Sequence, residues 1–175
     1  MEIILGGLKM SVAFTQNINE GMEFLHKKGA FLTVKCEEKV NPMTISWGNI
    51  GFEWNKPIFT ILVRKSRYTH ELIEKSGEFT ISIPLNDELK EELALCGTKS
   101  GRDIDKIKET NLKLISGKII DTPVIDNCKL HYECKIVYKQ DMNPEHLNEG
   151  IKGSSYKDGD YHTFYYGEIV DTYIL

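Results

Sequence analysis

The sequence lacks the features that mark membrane, secreted and nucleic-acid-binding proteins. No window approaches the roughly 18 apolar residues that a membrane-spanning helix needs. The apolar N-terminal segment Met1–Leu5 is too short for the core of a signal peptide. With 22 Lys and Arg against 26 Asp and Glu, the net charge of −4 provides no basic field for a nucleic-acid backbone. We therefore expect a cytoplasmic protein with no nucleic-acid or membrane partner.

Cysteine is scarce, and its four positions form neither a redox pair nor a convincing metal site. No C-x-x-C motif is present, so we predict a passive packing role for Cys96. Cys128, His131 and Cys134 are spaced like metal ligands, but apolar and polar residues alternate along residues 130–138. This alternation predicts a strand, on which His131 points to the face opposite both cysteines. We therefore predict no metal.

Motifs of common hydrolases and nucleotide-binding proteins are also absent. The sequence has no Ser/His/Asp arrangement at recognisable spacing, no paired-carboxylate motif and no G-x-x-x-x-G-K-[ST] loop. The G-x-G-x-x-G pattern is missing as well. A nicotinamide nucleotide would therefore have to bind without a dinucleotide-binding βαβ unit, in an open cleft.

The apolar pattern predicts a single domain over residues 1–175, because a chain of this length suits one hydrophobic core. Helices are predicted at 18–28, 68–76 and 87–96, begun by Asn17 or Asn19 and by Asn86 or Asp87, and ended by Gly29 and Gly77. Strands are predicted at 30–36, 43–52, 57–64, 79–83 and 130–138, with a turn at 37–42 and irregular segments at 97–127 and 141–160. This pattern favours a mainly β barrel with Greek-key connections and a few short helices.

One segment carries residues suited to a phosphate. The apolar strand at 57–64 runs directly into Arg64–Thr69, which precedes a predicted helix. Backbone N–H groups at a helix start, the helix dipole and charged donors would all point at one anion. The candidate phosphate anchors are Arg64, Ser66 and Thr69, with Arg67 as a further candidate. The alternative is a solvated basic corner in which Ser66 or Thr69 only caps the helix.

These segments together resemble the flavin reductase-like family, whose members are FMN-binding split β-barrels and include flavoredoxins. The resemblance rests on Asn41–Trp47, Trp54–Pro57, Arg64–Ile73, Ser76–Pro84, Cys96–Asp103 and the closing strand Gly159–Val170. It covers about residues 10–175, with the motifs in the family's order. It implies a split barrel, non-covalent FMN and a homodimer whose second subunit helps to wall the FMN cleft.

The resemblance also implies roles for individual residues. It places the flavin-contacting strand at Met43, Thr44, Ile45, Ser46 and Trp47 and the phosphate turn at 64–69. It also places a glycine loop near the flavin at Cys96–Arg102, which includes Cys96, Gly97 and Ser100, with further donors at Lys99–Arg102. On a strand, Thr44 and Ser46 share the face that would meet the flavin edge, and we expect the Trp47 side chain in the core. His162 matches a position where members often carry a histidine on the outer side of the flavin, which makes it a candidate nicotinamide contact.

The implied function is hydride transfer from NADH or NADPH to bound FMN and on to an acceptor, such as a redox protein or a monooxygenase. Hydride transfer between stacked rings needs positioning rather than a side-chain acid or base. Two alternatives stay open: a flavoredoxin-type electron carrier and a flavin-binding domain without turnover. The aromatic closing strand, with Tyr161, Phe164, Tyr165, Tyr166 and Tyr173, also favours a buried dimer interface, although the same rings would suit a barrel interior.

Overall fold

A computed structural model describes residues 14–110 and 112–175. Met1–Leu5, on which the signal-peptide interpretation rests, lies outside the described residues, so that interpretation and the single domain over 1–175 stay predictions. The helices are α1 (Ile18–Lys28), α2 (Tyr68–Ser76), α3 (Lys90–Thr98), α4 (Lys106–Glu109), α5 (Glu149–Ser155) and a 3-10 turn at Pro144–His146. The strands are β1 (Ala30–Cys36), β2 (Lys39–Ile45), β3 (Gly48–Glu53), β4 (Lys56–Arg64), β5 (Glu78–Ile83), β6 (Leu114–Ile115), β7 (Val124–Ile125), β8 (Leu130–Asp141) and β9 (His162–Ile174).

Seven antiparallel strands form one sheet in the order β2-β1-β5-β8-β9-β4-β3. The strands β2 and β3 are the two edges of this sheet, yet only Ser46 and Trp47 separate them in the chain. Three peptide steps span at most about 11 Å, so the edges must lie close together at this point. The sheet therefore curls into a barrel that is split where residues 46 and 47 cross between its edges.

The barrel interior holds the main hydrophobic core, in which Leu32, Phe59, Phe79, Tyr132 and Tyr165 are fully buried. A smaller cluster beneath α3 collects one further set of side chains: Phe31, Leu89, Leu93, Cys96, Leu112, Ile125 and Cys128. Strand β1 is buried on both faces because it separates the two clusters. This arrangement fixes α3 against the end of β2, where the candidate site lies.

The helices at 18–28 and 68–76 and the strand at 30–36 are confirmed. Gly29 ends α1 with a φ of 98°, and a Cβ there would lie 2.8 Å from Thr44 Cγ2. Asn17 occupies the N-cap position of α1, but its side chain makes no capping hydrogen bond. Within residues 14–110 and 112–175, no helix is long and apolar enough to cross a membrane.

Several predicted boundaries are wrong. The strand predicted at 43–52 is two strands on opposite sheet edges, and the predicted turn at 37–42 is reduced to residues 37–38, because pairing with β1 already starts at Lys39. The third helix begins at Lys90 rather than near Asp87, since Asn86 instead accepts the Glu88 N–H at 3.1 Å in a local turn. The segment predicted as irregular at 141–160 contains α5 and the 3-10 turn.

Candidate functional site

The split in the barrel opens a cleft of about 240 Å³ at the end of β2. The residues that line it are Met43, Thr44, Ile45, Ser46, Trp47, Leu62, Arg64, Arg67 and His162. Met43 and Ile45 are buried, whereas Ser46 is exposed and Thr44 is half-buried, so side chains alternate as predicted from residue 43 to residue 46. The cleft therefore presents a polar strand end against an apolar base.

Trp47 corrects an expectation, because its side chain is 48% exposed rather than in the core. The chain leaves β2 before Trp47 and begins β3 after it, so residue 47 does not follow the inward alternation of either strand. Its ring packs against the imidazole of His162, with the ring centroids 5.5 Å apart. Trp47 and His162 thus form one wall of the cleft.

His162 is held by a neighbour that the sequence analysis did not single out. Its Nδ1 lies 2.7 Å from the hydroxyl of Tyr156, which follows α5 in the segment predicted as a loop. Burial, followed by repulsion from Arg64, lowers the pKa of His162 to about 4. The imidazole is therefore neutral at neutral pH.

The predicted phosphate turn at 64–69 makes mostly internal contacts. The Arg64 guanidinium donates to the carbonyls of Asp160 at 2.5 Å and Ser155 at 2.8 Å. The Ser66 hydroxyl donates to the Asp160 carboxylate at 2.6 Å, and the Ser66 backbone N–H donates to it at 3.3 Å. Residues 155–160 form a strap, and Arg64 and Ser66 hold it. The Asp160 carboxylate therefore already accepts the hydrogen bonds that this part of the turn could donate to a phosphate.

A second cavity of about 280 Å³ lies next to the cleft, between the start of α2 and the loop after α3. It is lined by Asn41, Met43, Ser66, Arg67, Tyr68, Thr69, Cys96, Gly97, Lys99, Ser100, Gly101, Arg102, Asp103 and Lys106, and we call it the basic cavity. Four of these side chains are cationic and one is anionic. Thr69 is 1% exposed and accepts a hydrogen bond from Asn41 at 2.8 Å, so its own hydroxyl hydrogen is available to another acceptor.

Lys106 is the most unusual member of the basic cavity. It is 5% exposed, and its Nζ donates to the carbonyls of Pro42 at 3.0 Å and Cys96 at 2.9 Å. In the described part of the chain no carboxylate forms an ion pair with it. Burial lowers the pKa of its ammonium group. A buried cation without a counter-ion is costly, which points to an anionic ligand.

The remaining predicted residues lie around the junction of the two cavities. Cys96 is 2% exposed, and burial raises the pKa of its thiol to about 11, so it packs as an apolar group. A Cβ on Gly97 would lie 3.3 Å from Thr44 Cβ, so α3 approaches β2 closely here. Thr44 donates to the Leu93 carbonyl at 2.6 Å, and Ser100 accepts the Arg102 N–H at 3.1 Å.

A larger groove, of about 730 Å³, separates α1 from α3 and shares Thr44, Ser46 and Gly97 with the cleft or the basic cavity. All three hollows therefore meet at the end of β2. A ligand with a flat end and an anionic end would cross this junction, with its anion among the cations of the basic cavity.

The Cys128, His131 and Cys134 spacing is explained by packing. His131 is fully buried, and its Nε2 donates to the Cys128 carbonyl at 3.0 Å. Cys128 precedes β8, so the two cysteines do not share one strand as the sequence analysis assumed. Across residues 14–110 and 112–175, no cluster of three His, Cys, Asp or Glu side chains is suited to a metal ion.

Comparisons with known proteins give a consistent result. Residues 22–175 match the family model described as flavin reductase like domain. An uncharacterised protein from Archaeoglobus fulgidus is 30% identical over 143 residues, which cover 79% of this chain and 80% of that protein. A flavoredoxin from Methanosarcina acetivorans is 25% identical with a TM-score of 0.66, over 83% of this chain and 67% of that one. An FMN-binding protein from Thermus thermophilus, solved with bound 1-cyclohex-2-enone, shares the fold with a TM-score of 0.64 and 21% identity, over 99% of this chain and 80% of that one.

Proposed function

Because the chain belongs to the flavin reductase like domain family, we propose that it is an FMN-dependent oxidoreductase that takes hydride from a reduced nicotinamide and passes electrons to a second acceptor. The family resemblance and the mainly β, split-barrel fold that the sequence predicted are both confirmed. Bound FMN would supply the ring that accepts and returns electrons.

The observation that carries the proposal is the unpaired, buried Lys106 in a cavity that adjoins an open cleft. FMN has a phosphate at one end and a flat ring at the other, which matches this pair of hollows in charge and shape. We place the phosphate among the cavity residues Arg67, Thr69, Lys99, Ser100, Arg102 and Lys106. We place the ring along Met43–Trp47, with His162 on the far wall of the cleft.

This placement favours two of the four predicted phosphate anchors over the other two. Arg67 and Thr69 line the basic cavity, and the Arg67 guanidinium makes a long hydrogen bond of 3.4 Å to the Gly97 carbonyl. Arg64 and Ser66 are committed to the strap at residues 155–160. Sequence reasoning missed Lys106, because a lysine in Asp103–Lys108 carries no local sign of burial.

The test of FMN binding compares two flavins that differ only in the phosphate. A charge-assisted hydrogen bond is worth roughly 1.5–3 kcal/mol, so riboflavin should bind at least about tenfold more weakly than FMN. Fluorescence titration of the apo-protein with each flavin measures this ratio. Equal affinities would contradict a phosphate site in the basic cavity.

A second candidate function is electron transfer between redox proteins, which the 25% identity to the Methanosarcina flavoredoxin favours. The two functions differ in their electron donor. Anaerobic mixing of the FMN-loaded protein with NADH or NADPH should bleach the flavin absorbance within seconds if the chain is a nicotinamide-dependent reductase. Reduction by a ferredoxin-type donor alone would instead support the carrier, and no reduction by either would leave a flavin-binding domain without turnover.

We also propose a homodimer in which the second subunit adds to the wall of the cleft. Tyr165 and Tyr173, two of the aromatic residues that favoured a dimer, are buried inside their own chain, Tyr165 in the barrel core and Tyr173 against His131. The exposed aromatic surface lies instead around the β3–β4 turn, where Trp54 is 58% exposed and packs against Tyr138 at 6.0 Å between ring centroids. Light scattering should give twice the mass of one 20.1 kDa chain. A monomer with full FMN affinity would contradict both parts of this proposal.

A further inference from the structure

The hydrogen bond between Tyr156 and His162 has a defined direction. Tyr156 is 4% exposed, and in the described part of the chain its hydroxyl has a single hydrogen-bond partner, His162 Nδ1 at 2.7 Å. A buried hydroxyl places its hydrogen on an available acceptor, since an unsatisfied donor is costly. Nδ1 is therefore the acceptor and carries no hydrogen.

The hydrogen of the imidazole must then be on Nε2. A neutral imidazole has one donor nitrogen and one acceptor nitrogen, and a hydrogen bond at one nitrogen sets the state of the other. Burial keeps the His162 ring neutral, because it lowers the pKa to about 4. Nε2 makes no hydrogen bond to any residue that the structure describes, and the ring lines the cleft.

Tyr156 is itself held on three sides. Its ring stacks on Tyr161 with centroids 5.2 Å apart, and the Arg64 guanidinium lies 5.0 Å from its centroid. Its backbone N–H donates to the Lys152 carbonyl at 3.1 Å, which attaches it to the end of α5. The phenol therefore cannot turn away from His162 without disturbing the strap and its contact with Arg64.

We propose that Tyr156 is a positioning residue that fixes His162 in the tautomer with its hydrogen on Nε2. His162 then offers a neutral N–H donor to the cleft, suited to a ligand with a neutral oxygen acceptor, such as the carboxamide oxygen of a nicotinamide ring. An imidazolium could not accept the Tyr156 hydrogen, and the opposite tautomer would present a lone pair to that oxygen. The ligand half of this proposal rests on the proposed function, but the tautomer half does not.

The tautomer is tested by ¹⁵N NMR of protein labelled at histidine, with the His162 signals assigned by His162→Gln. The wild type should show a protonated Nε2 and an unprotonated, hydrogen-bonded Nδ1. Tyr156→Phe should shift the Nδ1 signal to that of a free acceptor and broaden or mix the tautomers. Tyr161→Phe is the matched control, since it removes a neighbouring hydroxyl that makes no hydrogen bond to a described residue. A protonated Nδ1 in the wild type, or an unchanged signal in Tyr156→Phe, overturns the proposal.

The ligand half is tested by the anaerobic rate of flavin reduction with NADH and with reduced thionicotinamide dinucleotide, whose sulfur is a poor hydrogen-bond acceptor. One hydrogen bond is worth about 0.5–1.5 kcal/mol, so the wild type should favour the carboxamide by roughly three- to tenfold after correction for intrinsic reactivity. Tyr156→Phe should reduce this preference, and Tyr161→Phe should retain it. Equal preference in the wild type and Tyr156→Phe would reject the ligand half. If neither nucleotide reduces the flavin, the proposed function fails, while the NMR result still decides the role of Tyr156.

Discussion

Two regions of the barrel differ in how completely their buried polar groups are hydrogen-bonded. Beside β5 and β8, the Glu133 carboxylate is fully buried and accepts N–H donors from residues 118–120 at 2.7–3.0 Å and the Tyr173 hydroxyl at 2.8 Å. Nearby, His131 bonds to Ser82 at one ring nitrogen and to the Cys128 carbonyl at the other. Among the described residues, Lys106 in the basic cavity has no counter-ion, and His162 Nε2 in the cleft has no hydrogen-bond partner.

This difference in hydrogen bonding distinguishes polar groups that stabilise the fold from polar groups that bind a ligand. A buried polar group that is fully satisfied fixes the fold, whereas one that is left incomplete beside a hollow is available to a ligand. The hydroxyls of Thr33 and Tyr132 are also buried and have no hydrogen-bond partner among residues 14–110 and 112–175, but neither lines the cleft, the basic cavity or the groove. Substitutions in the β5–β8 region should therefore change stability, and substitutions at the cleft should change affinity.

The largest effect is expected from Glu133→Ala. This change removes the acceptor of three backbone N–H groups, one buried and two partly buried, and of the buried Tyr173 hydroxyl, so it should lower the free energy of unfolding by about 3–5 kcal/mol. Urea unfolding of the apo-protein measures the loss, with the exposed Glu53→Ala as control. FMN affinity of the folded fraction should stay within about twofold. A strong loss of FMN affinity at full stability would contradict the separation of the two regions.

Acidification should weaken the same region through His131. Burial lowers the pKa of His131 to about 4 from 6.5, and its Nδ1 accepts the Ser82 hydroxyl, which in turn accepts the Ile125 N–H at 3.1 Å. The unfolded chain binds a proton below pH 6.5, whereas the folded chain does so only near pH 4. The contribution of His131 to stability is therefore complete above pH 6.5 and is lost as the pH decreases towards 4, a loss of about 3 kcal/mol.

The contribution of His131 is isolated by comparing unfolding of the wild type and His131→Asn across this pH range. The variant should be less stable at neutral pH and should lose about half of the slope between pH 6.5 and 4, because His162, whose pKa is also lowered to about 4, contributes a similar share. His26→Gln, at an exposed histidine of α1, should retain the wild-type slope. Equal slopes in the wild type and His131→Asn would show that His131 is not held neutral by this network.

The sequence predicts the elements of the barrel well because its helices and most of its strands have local apolar patterns. The helices at 18–28 and 68–76, for example, end at Gly29 and Gly77, which have positive φ in the structure and are visible as helix-ending residues in the sequence. The boundary between β2 and β3 is different. Alternation continues through Ser46 and Trp47, and only the closure of the sheet sends the chain across the split. That closure depends on pairings between distant strands, which leave no local signal.

The candidate site shows the same limit. The sequence marks Arg64–Thr69 as cationic, but it does not show which cations have internal partners. Arg64 contacts carbonyls 91 and 96 residues away, and Lys106 contacts Pro42, 64 residues away. These contacts exist only in the folded barrel. Local spacing could therefore identify the region of an anion site but not its full set of donors.

An intermediate effect is expected from Lys106→Met, which sharpens the comparison at the cleft. Loss of one charged donor should weaken FMN binding by about ten- to a hundredfold. The stability of the apo-protein should change by less than about 1 kcal/mol, because removal of a buried cation without a counter-ion offsets the loss of its two hydrogen bonds to carbonyls, and methionine keeps most of the volume. Riboflavin affinity should stay nearly constant, since riboflavin has no phosphate. Lys108→Met, on the same short helix and 83% exposed, is the matched control and should change neither quantity. A fall in stability without a fall in FMN affinity would show that Lys106 stabilises the fold and does not bind the phosphate.

The smallest effect on FMN is expected from Arg64→Ala, the residue that lies between the two classes. Arg64 lines the cleft, yet its guanidinium already donates to two carbonyls of the strap. Its removal should lower apo-protein stability by about 1 kcal/mol and change FMN affinity by less than about threefold. Apo-protein stability and FMN affinity are measured in parallel for Arg64→Ala and Lys106→Met. Arg64→Ala should change mainly the stability, and Lys106→Met should change mainly the FMN affinity. If Arg64→Ala instead weakened FMN more than about tenfold at unchanged stability, Arg64 would be a direct phosphate ligand that exchanges its carbonyls for the cofactor. The strap would then have to open when FMN binds. A full set of hydrogen bonds within the cofactor-free chain would then no longer distinguish polar groups that stabilise the fold from those that bind the ligand.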